Sequence, residues 1–222
     1  FKYFIMLRQL ASVLRAKWYF RKPEKKRILV YDKKSELISK LIFNEKDFIV
    51  LAVRFEEINF FVLLYTVLRH GFLDLNFNYK LNFISFVSPE IIFSDFTFNH
   101  SFFKLKNFYP SAKYICVNRT ITYNNFFNSY EDYYKKKGNL KLKADLLFVL
   151  GNLYKKKFSK YIDSEIISIG SFKNNFYNEI NESDKKYILF ISGAYARKDN
   201  EYTEWYKNEI ENEIKIVKSL SK

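Results

Sequence analysis

Two apolar runs, Arg27-Ile28-Leu29-Val30-Tyr31-Asp32 and Phe48-Ile49-Val50-Leu51-Ala52-Val53, decide the fold. Neither alternates with polar residues, so each reads as a strand buried on both faces. Between them Ser35 is placed to cap a helix from Glu36 to Phe43. Working outward, Ile58 to His70 reads as a helix closed by Gly71, and Leu75 to Val87 as a second one stopped at Ser88-Pro89. Glu90 to Ser94 is a strand, and Phe102 to Phe108 a helix ended by Pro110. Tyr114 to Val117, Leu146 to Leu150 and Ile166 to Ile169 are further strands, with a helix from Asn152 to Tyr161 between the last two. Doubly apolar strands separated by helices predict an α/β fold, a doubly wound parallel sheet covered on both sides.

This alternation occupies residues 27 to 173. The polar stretch 174 to 186 reads as a linker. Residues 187 to 222, with a strand at Tyr187 to Ile191 and a charged helix from about Glu201 to Leu220, read as the first βα unit of an incomplete second domain. A hydrophobic fraction of 48% with only five Gly and three Pro excludes a disordered or collagen-like chain. The lone Cys116 cannot form an internal disulfide, and with His70 and His100 as the only histidines a zinc site is poorly served. No metal or cofactor is expected, and the setting is expected to be reducing and cytoplasmic. The single Met is Met6, so position 1 reads as lying inside a longer chain or a fragment.

The formal charge of +14 is unevenly placed. Residues 1 to 27 carry nine Lys or Arg against Glu24 alone, whereas residues 28 to 110 balance at nine against nine. Within residues 1 to 26, Tyr3, Leu7, Leu10, Leu14 and Trp18 recur at spacings of three and four, with Arg8, Arg15 and Lys22 on another face. The pattern predicts a basic amphipathic helix. It suits two roles, lying in an anionic membrane surface on the inner face of the cytoplasmic membrane, or docking on its own domain. No run spans a bilayer, since Ile58 to Leu68 is about half of the roughly 20 residues required. Nucleic acid is not an expected partner, because the balanced stretch lacks a basic face and the aromatics fall in apolar runs.

Ligands of open parallel sheets bind beyond the carboxyl ends of the strands, where strand order reverses. The residues at those ends are Asp32; Arg54 with Glu56, Glu57 and Asn59; Asp95; Asn118 and Arg119; Gly170, Ser171, Lys173 and Asn174; and Gly193. The set suits a ligand bearing phosphate or sugar. Each member also has a structural reading. Asp32 and Ser35 serve equally as caps, Glu56 and Glu57 as first-turn carboxylates, and Gly170-Ser171 as a turn into the linker. Arg54, just past a buried strand, is the hardest to explain structurally, because an Arg with only a structural role would sit equally well on the surface. No phosphate loop, dinucleotide fingerprint or serine-nucleophile elbow is present in the sequence.

These strand-end residues, in the order Arg27 to Asp32, Val53 to Asn59, Pro89 to Asp95, Ala112 to Asn118, Ala144 to Gly151 and Ile169 to Asn175, resemble a family of bacterial surface carbohydrate biosynthesis proteins of O-antigen and capsule clusters. The most specific element is Gly170-Ser171-Phe172-Lys173-Asn174-Asn175. The family commonly carries Gln-Asn-Gly after the strand ending near Val117. Here the chain reads Val117-Asn118-Arg119, so only Asn118 carries over. The resemblance implies a GT-B-like enzyme with a Rossmann-like N-terminal domain, distantly similar to CDP-glycerol glycerophosphotransferases. It would move a sugar or polyol-phosphate from a nucleotide-activated donor to a glycan or lipid-linked acceptor.

Such a transferase needs a base for the acceptor hydroxyl and positive charge for the departing nucleotide phosphate. Asp95 and Glu56 are the base candidates, and Arg54 and Arg119 the charge candidates. Asp32, Asn59, Asn118, Gly170, Ser171, Lys173, Asn174 and Gly193 are candidate substrate contacts. A nucleotide-sugar epimerase of similar architecture, and a non-catalytic protein that binds anionic surfaces, are the alternatives.

Overall fold

The computed structural model describes residues 15–121, 124–137, 140–172 and Lys215. The expected linker and second-domain elements, the first fourteen residues of the basic segment, and Lys173, Asn174 and Gly193 lie outside the described residues. The chain divides into two units, Phe1–Tyr177 and Asn178–Lys222, and every element below belongs to the first.

Six strands form one parallel sheet: β2 (Ile28–Tyr31), β3 (Phe48–Leu51), β5 (Ile91–Ser94), β6 (Lys113–Val117), β7 (Leu142–Val149) and β8 (Ile162–Ser168). Their spatial order is β3-β2-β5-β6-β7-β8, with every neighbouring pair parallel. Strand order reverses between β2 and β5, because the chain steps outward from β2 to β3 and then returns to the other side of β2. This is a Rossmann-like α/β sheet with its switch point at the β2/β5 boundary.

Alternate residues of the buried strands enter two separate cores. Leu29, Tyr31, Leu51, Ile92, Tyr114 and Leu147 face the larger one. There they pack against α3 (Leu75–Val87), α4 (His100–Leu105), α5 (Asn124–Lys137) and α6 (Asn152–Phe158) through Ile84, Phe102, Phe103, Tyr130 and Phe158. Ile28, Val30 and Phe48 face the other side, where Phe43, just after α1 (Glu36–Ile42), packs edge-on against Phe93 at 5.3 Å. Helices therefore lie on both faces, but unevenly.

Several elements differ from the sequence reading. Residues 17–19, expected in the basic helix, are a strand, β1 (Lys17–Tyr19), paired in parallel with β4 (Glu57–Asn59). The apolar spacing around Trp18 is satisfied by packing against the larger core from this two-stranded ribbon. Consequently α2 begins at Phe60 rather than Ile58 and runs to His70, capped by the Asn59 side chain, which accepts from the Val62 N–H at 3.2 Å. Gly71 ends it at φ 60, a conformation glycine adopts without strain. Ser35 does not cap α1; its hydroxyl is turned elsewhere. Helix α5 was not anticipated, since its Asn-rich start hides the apolar face formed by Phe127 and Tyr130. Strands β7 and β8 are longer than their apolar runs, because charged residues near the sheet's edge remain in the ladder.

Candidate functional site

Because all six strands are parallel, Asp32, Arg54, Asp95, Asn118, Gly151 and Gly170 emerge on one edge of the sheet. At the switch point two of these ends meet. Asp32 follows β2 and Asp95 follows β5, and their side chains are 1% and 0% exposed. Each holds an arginine brought by the adjoining strand. Arg54, after β3, places Nη2 2.5 Å from Asp32 Oδ2, and Arg119, after β6, places Nη1 2.8 Å from Asp95 Oδ2. Buried carboxylates need such partners, since desolvation of an unpaired one is expensive.

The two pairs are tied to each other. Ser35 donates its hydroxyl to Asp95 Oδ1, and its own N–H bonds to the carbonyl of Asp32 at 2.9 Å. The other oxygen of Asp32, Oδ1, accepts from the Lys34 N–H at 3.0 Å, so this residue does cap the short turn Lys33–Ser35. Both guanidinium groups also lie over one ring, that of Phe96, with centroid distances of 5.6 Å for Arg54 and 5.9 Å for Arg119. Stacking on an aromatic ring and a carboxylate brace together fix the plane of each guanidinium while leaving other N–H groups to donate.

Asp95 was a candidate base. In this conformation both of its oxygens are engaged and its side chain is fully buried, so it acts as the brace of Arg119. Glu56 is exposed and accepts the Arg54 N–H at 3.1 Å, which leaves it the accessible carboxylate next to the pair. It lies in the turn before β4, not in a helix. Glu57 pairs with Lys33. The side chain of Asn59 is divided between its cap and the carbonyl of Arg21, at 2.7 Å. Asn118 is buried and donates to Thr97 Oγ1 at 3.1 Å, which fastens the loop after β5. Gly170 and Ser171 follow β8, three strand spacings from β5 and so roughly 14 Å away. They share the edge with the arginines but not the switch point.

Two participants carried no sequence signal. Phe96 is one more Phe in a chain that has 25. Lys80 lies inside α3, buried, with Nζ 3.3 Å from Ser101 Oγ, which in turn meets Tyr31 Oη at 2.5 Å. Burial pushes the Lys80 amine down to about 8, and the charge of Asp32 opposes that fall. A cleft of about 460 Å³ opens on the β3 side of the same edge, between the 19–24 segment and β3, and is lined by Tyr19, Arg21, Lys22, Lys33 and Glu57 among others. Among the described residues no cluster of His, Cys, Asp and Glu could hold a metal ion.

Residues 118–217 match the model of a family described as "putative O-antigen biosynthesis protein". The matched segment is under half of the chain and starts at Asn118, so it takes in Arg119, β7, α6 and β8 but leaves Asp32, Arg54 and Asp95 outside. It supports a place in surface carbohydrate biosynthesis. Neither the curated proteins nor the solved structures provide a match. No helix among the described residues is long and apolar enough to cross a membrane.

Proposed function

We propose that this chain carries the N-terminal part of a GT-B-like transferase of bacterial surface polysaccharide biosynthesis, akin to CDP-glycerol glycerophosphotransferases. It moves a sugar or polyol-phosphate from a nucleotide-activated donor to a glycan or lipid-linked acceptor. The observation that carries this reading is the pair of arginines at the switch point, each braced by a buried aspartate and both lying on Phe96. Braced guanidiniums offer planar N–H pairs that match phosphate oxygens, and a switch-point crevice is where a sheet of this topology binds such ligands.

In the reaction the acceptor oxygen forms a bond to the transferred carbon or phosphorus as the bond to the nucleotide phosphate breaks. The acceptor proton passes to Glu56. The electron pair leaves on the nucleotide phosphate, whose growing negative charge Arg54 and Arg119 stabilise. The aspartates hold both cations in place beforehand, so little reorganisation is needed as that charge develops.

The test is saturation-transfer NMR on the intact chain with a panel of nucleotide sugars and nucleotide-activated polyols. At least one should bind, and Arg54→Lys or Arg119→Lys should weaken it at least about tenfold with an unchanged unfolding midpoint, because Lys cannot reproduce the bidentate contact. If the Lys variants bind as well as the intact chain, or no nucleotide-activated compound binds, the reading fails.

A further inference from the structure

Helix α2 is apolar on both sides, with Val62 in the larger core and Leu63 packed against it. Its inward face presents Val62 and Thr66, and Thr66 Oγ1 accepts from Asn82 Nδ2 of α3 at 3.0 Å, a polar bond inside the helix pair. Its outward face carries Phe60, Phe61, Leu64, Tyr65 and Leu68, a stripe at successive spacings of one and three whose first four members are 38% to 43% exposed. Just past Gly71, Phe72 and Leu73 are 80% and 79% exposed, as is Leu68 at 79%. Across the N-terminal end of the helix, the exposed Phe20 sets its ring 5.5 Å from that of Phe60. So many exposed large apolar side chains within fifteen residues of sequence mark a contact surface.

Cations outnumber acids around the stripe, where Lys17, Arg21, Lys22 and Arg69 stand against Glu56 at one end and the exposed Asp74 at the other. Residues 58–73 contain no Asp or Glu. Arg69 lies against Tyr65, donating to its hydroxyl at 2.7 Å. At the other end the β1/β4 pairing and the Asn59 bond to the Arg21 carbonyl anchor a segment in which Lys17, Arg21 and Lys22 are close to Phe20 in sequence. Exposed aromatic and aliphatic side chains bordered by Lys and Arg complement the acyl boundary and phosphates of an anionic bilayer. At eleven residues α2 is too short to span one, so the stripe would lie in the interface plane.

We propose that the outward face of α2, with Phe20, Phe72 and Leu73, docks on an anionic membrane surface. This contact is built into the described fold. It depends neither on the first fourteen residues nor on the chemistry of the crevice. It also places Arg21 and Lys22, which line the 460 Å³ cleft, next to the lipid headgroups.

The test is co-sedimentation of the full chain with vesicles of phosphatidylcholine containing phosphatidylglycerol, against phosphatidylcholine alone, at low and high salt. The intact chain should bind the anionic vesicles and lose most of that binding in salt. The triple substitution Leu64→Ser, Leu68→Ser and Phe72→Ser should reduce partitioning at least about tenfold, since each removes an inserted apolar side chain. Removal of residues 1–14 should leave binding in place. A Leu68→Trp variant provides a second readout that keeps the face apolar. Its added emission should shift to the blue on anionic vesicles and be quenched by brominated acyl chains.

Unchanged binding of the triple variant, or no spectral response of Leu68→Trp, would overturn the proposal, as would an intact chain that ignores anionic vesicles. Light scattering separates the remaining occupant. If the intact chain is a dimer that the triple substitution converts to a monomer, with vesicle binding unaffected, the face belongs to a second copy instead.

Discussion

The two aspartate–arginine pairs at the switch point look alike in composition and differ in support. Asp95 ends a central strand, and its partner Arg119 is only 21% exposed. Asp32 sits at φ 88, a region that residues with a Cβ adopt only under strain, and its partner Arg54 is 36% exposed. The Asp95 side is thus an anchor set in the core. On the Asp32 side a strained loop meets the more accessible cation, which the loop after β3 carries with the exposed Glu56 beside it. At one switch point, rigidity is supplied by one pair and reach by the other, and Ser35 couples them.

The sharpest way to break that comparison is to remove each arginine. Arg119→Met strands a fully buried carboxylate whose remaining partner is a hydroxyl, and should lower unfolding free energy by about 4 kcal/mol. Adding Asp95→Asn to it should restore most of that loss. Arg54→Met should lower stability by less, about 2 kcal/mol, because the arginine is partly solvated and Asp32, although itself buried, keeps its Lys34 N–H bond. Denaturant titration of the three variants checks this, and equal losses for the two single arginine variants would remove the distinction between anchor and reach.

A somewhat smaller effect concerns Lys80, whose amine interacts electrostatically with the Asp32 side. Its proton is held less tightly in the fold, at about 8 against an ordinary 10.5, because burial disfavours the charge. Between those values the unfolded chain binds more protons than the folded one, so this group makes stability rise with pH across that window. At pH 7 both states are charged and the fold bears the whole desolvation cost. Lys80→Met should therefore raise stability at pH 7 by up to about 3 kcal/mol and abolish its share of the rise toward pH 10.5. Burial pushes the Tyr79 hydroxyl up to about 12, and the Tyr31 hydroxyl is also raised. These act in the opposite sense at high pH, so the quantity to read is the difference between the intact chain and the variant.

The smallest expected change is at Phe96, the ring that the two sides share. Phe96→Leu keeps apolar bulk but removes the π face, and should cost about 1 kcal/mol, counted over both arginines. If the sides are as unlike as the structure indicates, crystallography of this variant should show Arg54 displaced and Arg119 still on Asp95.

Much of the fold was legible because its signals are local. The doubly apolar runs at Ile28 and Phe48, the glycine at position 71 and the proline at 89 report burial and chain direction through their immediate neighbours. The basic segment was misread around Trp18 for the same reason. Its spacing fits a helix, yet three residues there pair with Glu57–Asn59, about forty positions away, and no local pattern encodes that partner. The apolar run at Ile58 to Leu68 was recognised as helical and as too short for a bilayer, but its orientation was not readable. An apolar stripe is the same sequence whether it faces a core or a membrane.

The sequence alone determined which residues stand at strand ends. A parallel βα chain places every such residue on one edge, so Asp32, Arg54, Asp95, Asn118 and Arg119 could be named in advance. Tertiary structure decided which of them meet. Strand order puts β2 beside β5 and sends β8 to the far side, gathering the two ion pairs at the switch point and leaving Gly170 apart. It also decided that Asp95 braces an arginine instead of facing solvent, and that α2 turns its phenylalanines outward. The physical reason is common to all three. Burial and charge pairing are properties of neighbours in space, and those neighbours are selected only when the strands take their order.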